Sequence, residues 1–228
     1  MSMMQESHLR LSRAEYWLLQ AAVDCLMPVF FLETEGYPPN SSIEEMFNKP
    51  GHGLDRHELL ECLDGLFGAG FIEARRDDSE QPFVPTKVQL IEAIAEKRWT
   101  DQALNYGLTA KGGATWEAFA APDWSHFYAE DYDQEALTGT VTCLDRDRLQ
   151  QYLDYLKLNL MDEIIAFDTL QIVECGEWQP TYWKQLPSGF RAEFSWAAAP
   201  ANNEVQSRLQ YLAFCGLANF RDGWYQWR

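Results

Sequence analysis

Apolar positions along this chain switch between a period of about 3.6 and a period of 2, which predicts a mixture of helices and strands. Ser12-Arg13-Ala14-Glu15 reads as a capping box, in which serine and glutamate each satisfy an orphan amide of a helix start. Tyr16, Leu19, Val23 and Leu26 follow at helical spacing, and Pro28 closes the pattern. Gly36 to Ser42, with Pro38 and Pro39, reads as a loop, followed by a short helix from Ile43 to Phe47. Asp55-Arg56-His57-Glu58 is a second capping box, and Leu59, Leu60, Leu63, Leu66 and Phe67 mark one apolar stripe behind it. Gly68 and Gly70 stop that helix. Phe71 to Arg75 alternates like a strand, Arg76 to Gln81 makes a polar tip, and Phe83 and Val84 lead back. Thr86 to Gln89 opens a further capped helix, reaching Lys97, with Val88, Ile91 and Ile94 as its apolar positions. Tyr106-Gly107-Leu108-Thr109 then enters a helix that holds Trp116 and Phe119.

Pro122-Asp123-Trp124 marks a boundary, so the chain divides into residues 1–122 and 123–228. Tyr128 to Glu135 is acidic and aromatic, and reads as loop. Leu137 to Thr142 alternates apolar residues with threonine, which favours a strand. Asp145 caps a helix whose buried face is Leu149, Tyr152, Leu153 and Leu156. Ile164 to Val173 is rich in strand formers. Phe190, Ala192, Phe194 and Trp196 alternate with Arg191, Glu193 and Ser195, the clearest strand signal in the chain. Asn202 or Asn203 caps a helix carrying Val205, Leu209 and Leu212, and Trp224 to Trp227 reads as a terminal strand. The fold class expected is α+β.

The order of elements in the first half, together with the run Leu108-Thr109-Ala110-Lys111-Gly112-Gly113, resembles a winged helix-turn-helix domain. The helix Arg56 to Phe67 and the strand Phe71 to Arg75 carry the likeness, and the run looks like the Leu-Thr-x-x-Gly step of MarR-like and PadR-like regulators. The inserted helix near 86–97, between the wing and that step, departs from the family. The resemblance implies a recognition helix and wing that touch DNA through Arg56, His57, Arg75 and Arg76, with the second half of the chain sensing a small ligand.

Charge changes that picture. The chain has 18 basic and 35 acidic side chains, a formal net charge of −17. Residues 1–120 hold 10 basic and 19 acidic side chains, and the remainder 8 and 16, so neither half is a basic module. The outward face of the expected recognition helix carries Arg56 against Glu58, Glu61 and Asp64, and Asp77, Asp78 and Glu80 follow Arg76 in the wing. Each acid near a phosphate is repelled, whereas groove binding gains from several Lys or Arg contacts. DNA is therefore the disfavoured partner, unless a homodimer concentrates the few arginines into one patch. No apolar run reaches the ~18 residues of a spanning helix, and the first ten residues lack a signal-peptide pattern, so a cytoplasmic protein is expected and no membrane.

The five cysteines contain no CxxC pair. Cys25, Cys62 and Cys215 lie among apolar residues and read as small buried hydrophobes. His126 stands four before Glu130, with Asp131 and Asp133 beyond, but the loop-like segment argues against a metal cage there. The chain contains no HExxH, GxSxG, phosphate loop or dinucleotide fingerprint, so the expectation is no enzyme and no cofactor. What stands out is Asp123, Trp124, Tyr128, Glu130, Asp131, Tyr132, Asp133 and Glu135. Aromatics beside carboxylates suit a basic protein surface, the rings as anchors and the acids as steering charges. The run Leu108 to Glu117, followed by Pro122-Asp123-Trp124, is also similar to segments of small uncharacterised bacterial immunity-type proteins. That likeness implies stoichiometric occlusion of a basic partner without chemistry.

Overall fold

The computed structural model describes residues 11–33, 52–76, 79–96, 103–133, 136, 138–158 and 165–196. The helix expected at Ile43 to Phe47, the helix after Asn202, the terminal strand at Trp224 to Trp227, and the positions Glu135 and Cys215 lie outside the described residues. Five α-helices and antiparallel sheets occur among those described, a mixed α+β architecture. The chain forms two compact units, one of residues 1–119 and one of residues Ala120–Trp227.

In the first unit, α1 (Arg13–Ala21) starts at the Ser12 capping box, both halves of which are formed. It ends before Val23, which is nonetheless buried beyond the helix. A two-residue strand β1 (Met27–Pro28) and a 3-10 turn (Val29–Leu32) follow. Helix α2 (Arg56–Gly68) begins at the Asp55 capping box and buries Leu59, Leu63, Leu66 and Phe67, while Leu60 is only half-buried. Strands β2 (Ile72–Arg76) and β3 (Ser79–Phe83) form a hairpin, and helix α3 (Lys87–Ala95) is capped by Thr86. Strand β4 (Leu104–Leu108) leads into α4 (Ala110–Ala120).

Two expectations are corrected here. The expected hairpin of β2 and β3 forms, but the residues expected to lead straight into the next helix are themselves a strand: the sheet order is β1-β4-β2-β3, with β4 hydrogen-bonded between β1 and β2. All five residues of β4 are buried, and a strand covered on both faces has no alternation to betray it. In α3 the buried positions are Leu90, Ala93 and Ile94, whereas Val88 and Ile91 face water at 63% and 48% exposure.

The Leu-Thr-x-x-Gly step is a structural joint. The Thr109 amide and hydroxyl reach the Phe71 carbonyl at 3.0 and 3.3 Å, and the same hydroxyl donates to Gly70 O at 2.7 Å. It also accepts from the Gly112 amide at 3.0 Å, capping α4. Lys111 Nζ donates to Ala69 O at 2.6 Å, at the carbonyl end of α2 where positive charge is favoured. A Cβ placed on Gly112 would lie 1.8 Å from the Phe71 oxygen, so this position admits only glycine without displacement of the backbone.

In the second unit, a 3-10 turn (Trp124–His126) precedes β5 (Tyr128–Asp133) and β6 (Thr138–Cys143). Helix α5 (Arg146–Leu158) is followed by β7 (Ile165–Cys175), a small hairpin of β8 (Trp178–Thr181) and β9 (Lys184–Leu186), and β10 (Gly189–Trp196). The main sheet runs β5-β6-β10-β7, antiparallel throughout. One face packs on α5: Tyr128, Val141, Cys143, Ala192 and Phe194 meet Leu149, Tyr152, Leu153 and Leu156 in one core. Asp145 starts α5 by accepting from the amides of Asp147 and Arg148 at 2.8 and 3.0 Å. No helix among the described residues is long and apolar enough to cross a membrane.

Candidate partner-binding surface

Strand periodicity divides the acidic aromatic segment between two faces. Residues 128–133 are not a loop but β5, so successive side chains point to opposite sides of the sheet. Tyr128 is fully buried, and its hydroxyl donates to Arg148 O at 3.2 Å. Glu130 points the same way and accepts a hydrogen bond from the Tyr152 hydroxyl. Trp124 is also buried, with Phe127 and Trp183 ring centroids at 5.5 and 5.9 Å and Lys184 Nζ above its face at 5.5 Å. Trp124, Tyr128 and Glu130 are therefore packing and internal hydrogen-bonding groups rather than surface anchors. Tyr132 lies in β5, and Asp131 and Asp133 are exposed on the opposite side. The Asp133 carboxylate also accepts from the Ala136 amide at 2.8 Å.

The face away from α5 is polar in rows set by the strand register. Asp131 pairs with Thr140, Thr140 with Glu193, and Glu193 with Gln171. The next row is Asp133, Thr138 and Ser195. Cross-strand neighbours stand about 5 Å apart, so carboxylates flank a central line of threonine hydroxyls. Thr138, Gln171, Glu193 and the two aspartates are exposed, while Thr140 and Ser195 are half-buried. A groove of about 400 Å³ runs over this face, lined in part by Thr138, Thr140, Thr169, Gln171, Glu193 and Ser195. Its groups are hydroxyl, amide and carboxylate oxygens, acceptors that suit an ammonium or guanidinium. Glu193 and the threonines are the members that the aromatic-acid pattern missed. Their signal was the period-two alternation in Thr138 to Cys143 and Phe190 to Trp196.

Asp123 belongs to a separate polar cluster. Its carboxylate accepts from the Ser125 hydroxyl and amide at 2.6 and 3.0 Å and lies 3.7 Å from His126 Nε2. Arg148 donates to that same imidazole nitrogen at 3.0 Å, which makes His126 Nε2 an acceptor. The Ser125 hydroxyl holds the Asp123 carboxyl below its ordinary range against the opposing effect of burial, with the Ser125 amide and the Arg148 charge acting in the same direction as the hydroxyl. We expect Asp123→Ala to lower stability by about 1 kcal/mol at neutral pH, as loss of a helix cap does. A depressed carboxyl contributes above its unfolded pKa and loses that contribution as pH falls through its folded value. The difference between the two proteins should accordingly shrink towards zero in strong acid, and urea unfolding across that range measures it.

The pairing of His126 and Glu130 as ligands on one helical face does not form, because the first lies in a 3-10 turn and the second in a strand. Among the described residues no group of three or more His, Cys, Asp or Glu could hold a metal ion. Cys143 is buried, and desolvation pushes its thiol up to about 11, which makes it a poor nucleophile. Cys25 departs from the expectation of burial and is exposed, and Cys62 is intermediate.

The residues named for DNA are largely engaged within the chain. Arg56 pairs with Glu33 at 3.4 Å. Arg75 reaches one Glu73 oxygen through Nε and Nη2 at 3.1 and 2.6 Å. Arg76 ends β2 half-buried, and His57 is exposed in the first turn of α2. The acids of α2 are answered by Lys87, whose Nζ lies 2.9 Å from Glu61 and 3.3 Å from Asp64. No protein-family model, no curated protein and no solved structure matches this chain.

Proposed function

We propose that this chain is a non-enzymatic cytoplasmic binding protein of the immunity type, and that it occludes a basic protein partner with the acceptor-rich face of its second unit. The observation that carries the reading is the row Asp131, Thr140, Glu193 and Gln171, continuous across all four strands of a sheet whose other face is taken by α5. Carboxylates at such a surface speed encounter and discriminate by charge, while fixed hydroxyls set orientation. Occlusion needs no reacting group, and the groove supplies oxygen acceptors instead of an activated nucleophile.

The test is capture by the full-length protein as bait in lysate of its own source, at low and high salt, beside an Asp131→Lys, Asp133→Lys, Glu193→Lys variant. A basic protein should be retained by the wild type at low salt and lost at high salt. The variant should retain at least about a hundredfold less, since close charge pairs across an interface are each worth a few kcal/mol. Capture that survives the triple reversal at physiological salt would overturn the reading.

A transcriptional regulator is the second reading, favoured by the succession of α2, β2 and the Thr109 joint and by the exposure of His57. It requires Arg56 and Arg75 to exchange their internal carboxylates for phosphates. It predicts salt-sensitive DNA binding that Arg75→Glu with Arg76→Glu abolishes. An electrophoretic mobility assay without any shift at low ionic strength would dismiss it.

A further inference from the structure

Helix α3 has two apolar flanks, and the first unit uses one of them. Leu90, Ala93 and Ile94 are buried, and the helix packs on the 3-10 turn Val29–Leu32 and on α2. Val88, Ile91 and Ala95, spaced three and four apart, form a second stripe that is exposed. Val84, just ahead of the Thr86 cap, is 65% exposed. Of the exposed large hydrophobic side chains among the described residues, Val84, Val88 and Ile91 crowd into one short segment, whereas Leu158 and Val173 stand apart. Scattered exposed hydrophobes need no partner, whereas contiguous ones mark interaction sites as the patch grows.

The charges beside the stripe select the occupant. Taking Val88 and Ile91 as the a and d positions of a heptad, Lys87 is the g position and Glu92 the following e position. In two parallel helices, g of one faces e of the other, five residues on. A twofold-related copy with α3 alongside therefore stacks Val88 on Val88 and Ile91 on Ile91, and sets Lys87 opposite Glu92 twice. Lys87 has three donors, of which Glu61 and Asp64 take two, so one N–H is left for the facing carboxylate. Glu92 is exposed and forms no ion pair among the described residues. An antiparallel copy would place Lys87 opposite the position of Ile94, which is buried in its own unit, and would lose both ion pairs.

We infer that the stripe Val88, Ile91 and Ala95 is the contact with a second copy of this chain, formed by two α3 helices packed in parallel. The inference is independent of the basic-partner reading, since it concerns the other unit. Two turns of helix cover less than the ~1,200 Å² of a standard interface, so the dimer is a weak, concentration-dependent one.

Sedimentation equilibrium on the full chain tests it. The weight-average mass should rise from 26.3 kDa towards twice that value with concentration. Val88→Glu with Ile91→Glu should stay at 26.3 kDa throughout while keeping the wild-type thermal midpoint, because both side chains already face water. Glu92→Lys should weaken association about tenfold, the sum of two exposed ion pairs replaced by repulsion. A wild type that remains monomeric up to about 1 mM would overturn the inference, as would a double glutamate variant that dimerises like wild type. An unchanged dissociation constant for Glu92→Lys would overturn the parallel arrangement.

Discussion

Gly112→Ala should destabilise the first unit by about 3 kcal/mol and lower its thermal midpoint by roughly 10–20 °C. The alanine methyl would sit 1.8 Å from a backbone oxygen, that of Phe71, and a carbonyl cannot rotate away as a side chain can. To relieve the overlap, α4 must lift off the start of β2. That breaks the Thr109 amide bond to Phe71 at 3.0 Å and the Lys111 bond to Ala69 at 2.6 Å. Gly65→Ala is the matched control. It lies within α2 with nothing inside 4 Å of the added carbon, so the same substitution should stabilise by about 0.5–1 kcal/mol through helix propensity. Differential scanning calorimetry of the two variants should therefore give shifts of opposite sign.

Neighbouring carboxylates on β5 should differ sharply in their response to the same change. Glu130→Lys should cost the second unit about 2–4 kcal/mol, because it removes the acceptor of the Tyr152 hydroxyl and brings an unpaired ammonium to the sheet face covered by α5. Asp131→Lys, one position along and facing the other way, should change stability by less than about 0.5 kcal/mol, as exposed substitutions do. Its effect should be on partner capture alone. Chemical denaturation of the two single variants measures the first difference, and capture by Asp131→Lys measures the second. Equal loss of stability in both would contradict the alternation of faces along β5.

Helix starts were legible because their chemistry is local. Ser12, Asp55 and Thr86 each form both halves of a capping box, and each has its partner three residues away in sequence. The α5 face was equally plain, since Leu149, Tyr152, Leu153 and Leu156 leave one unambiguous stripe. Strand β5 escaped notice because Glu and Asp are poor strand formers, and its pairing with β6 overrides that preference. Of the expected apolar positions of α3 only Ile94 is buried, because Val88 and Ile91 compete with Leu90 and Ala93 on nine residues, and only the elements packed against it decide between them. The hairpin of β8 and β9 carries little alternation in Trp178 to Leu186 and left no pattern to read. For the candidate surface, individual carboxylates could be named from sequence, but their grouping could not. Asp131, Thr140, Glu193 and Gln171 become neighbours through three strand registers, which are long-range facts.

Among the described residues β5 stands at one end of the order β5-β6-β10-β7, which has a bearing on solubility. An outermost strand offers unpaired backbone amides and carbonyls as a template for another chain, and repeated charge is a common defence against such addition. Glu130, Asp131 and Asp133 put three carboxylates within four residues of that strand. A second strand laid alongside in register would bring its own acids against them. Asp131 and Asp133, the two exposed acids proposed for recognition, thus also act as gatekeepers against aggregation, and a variant that neutralised them would lose both roles together.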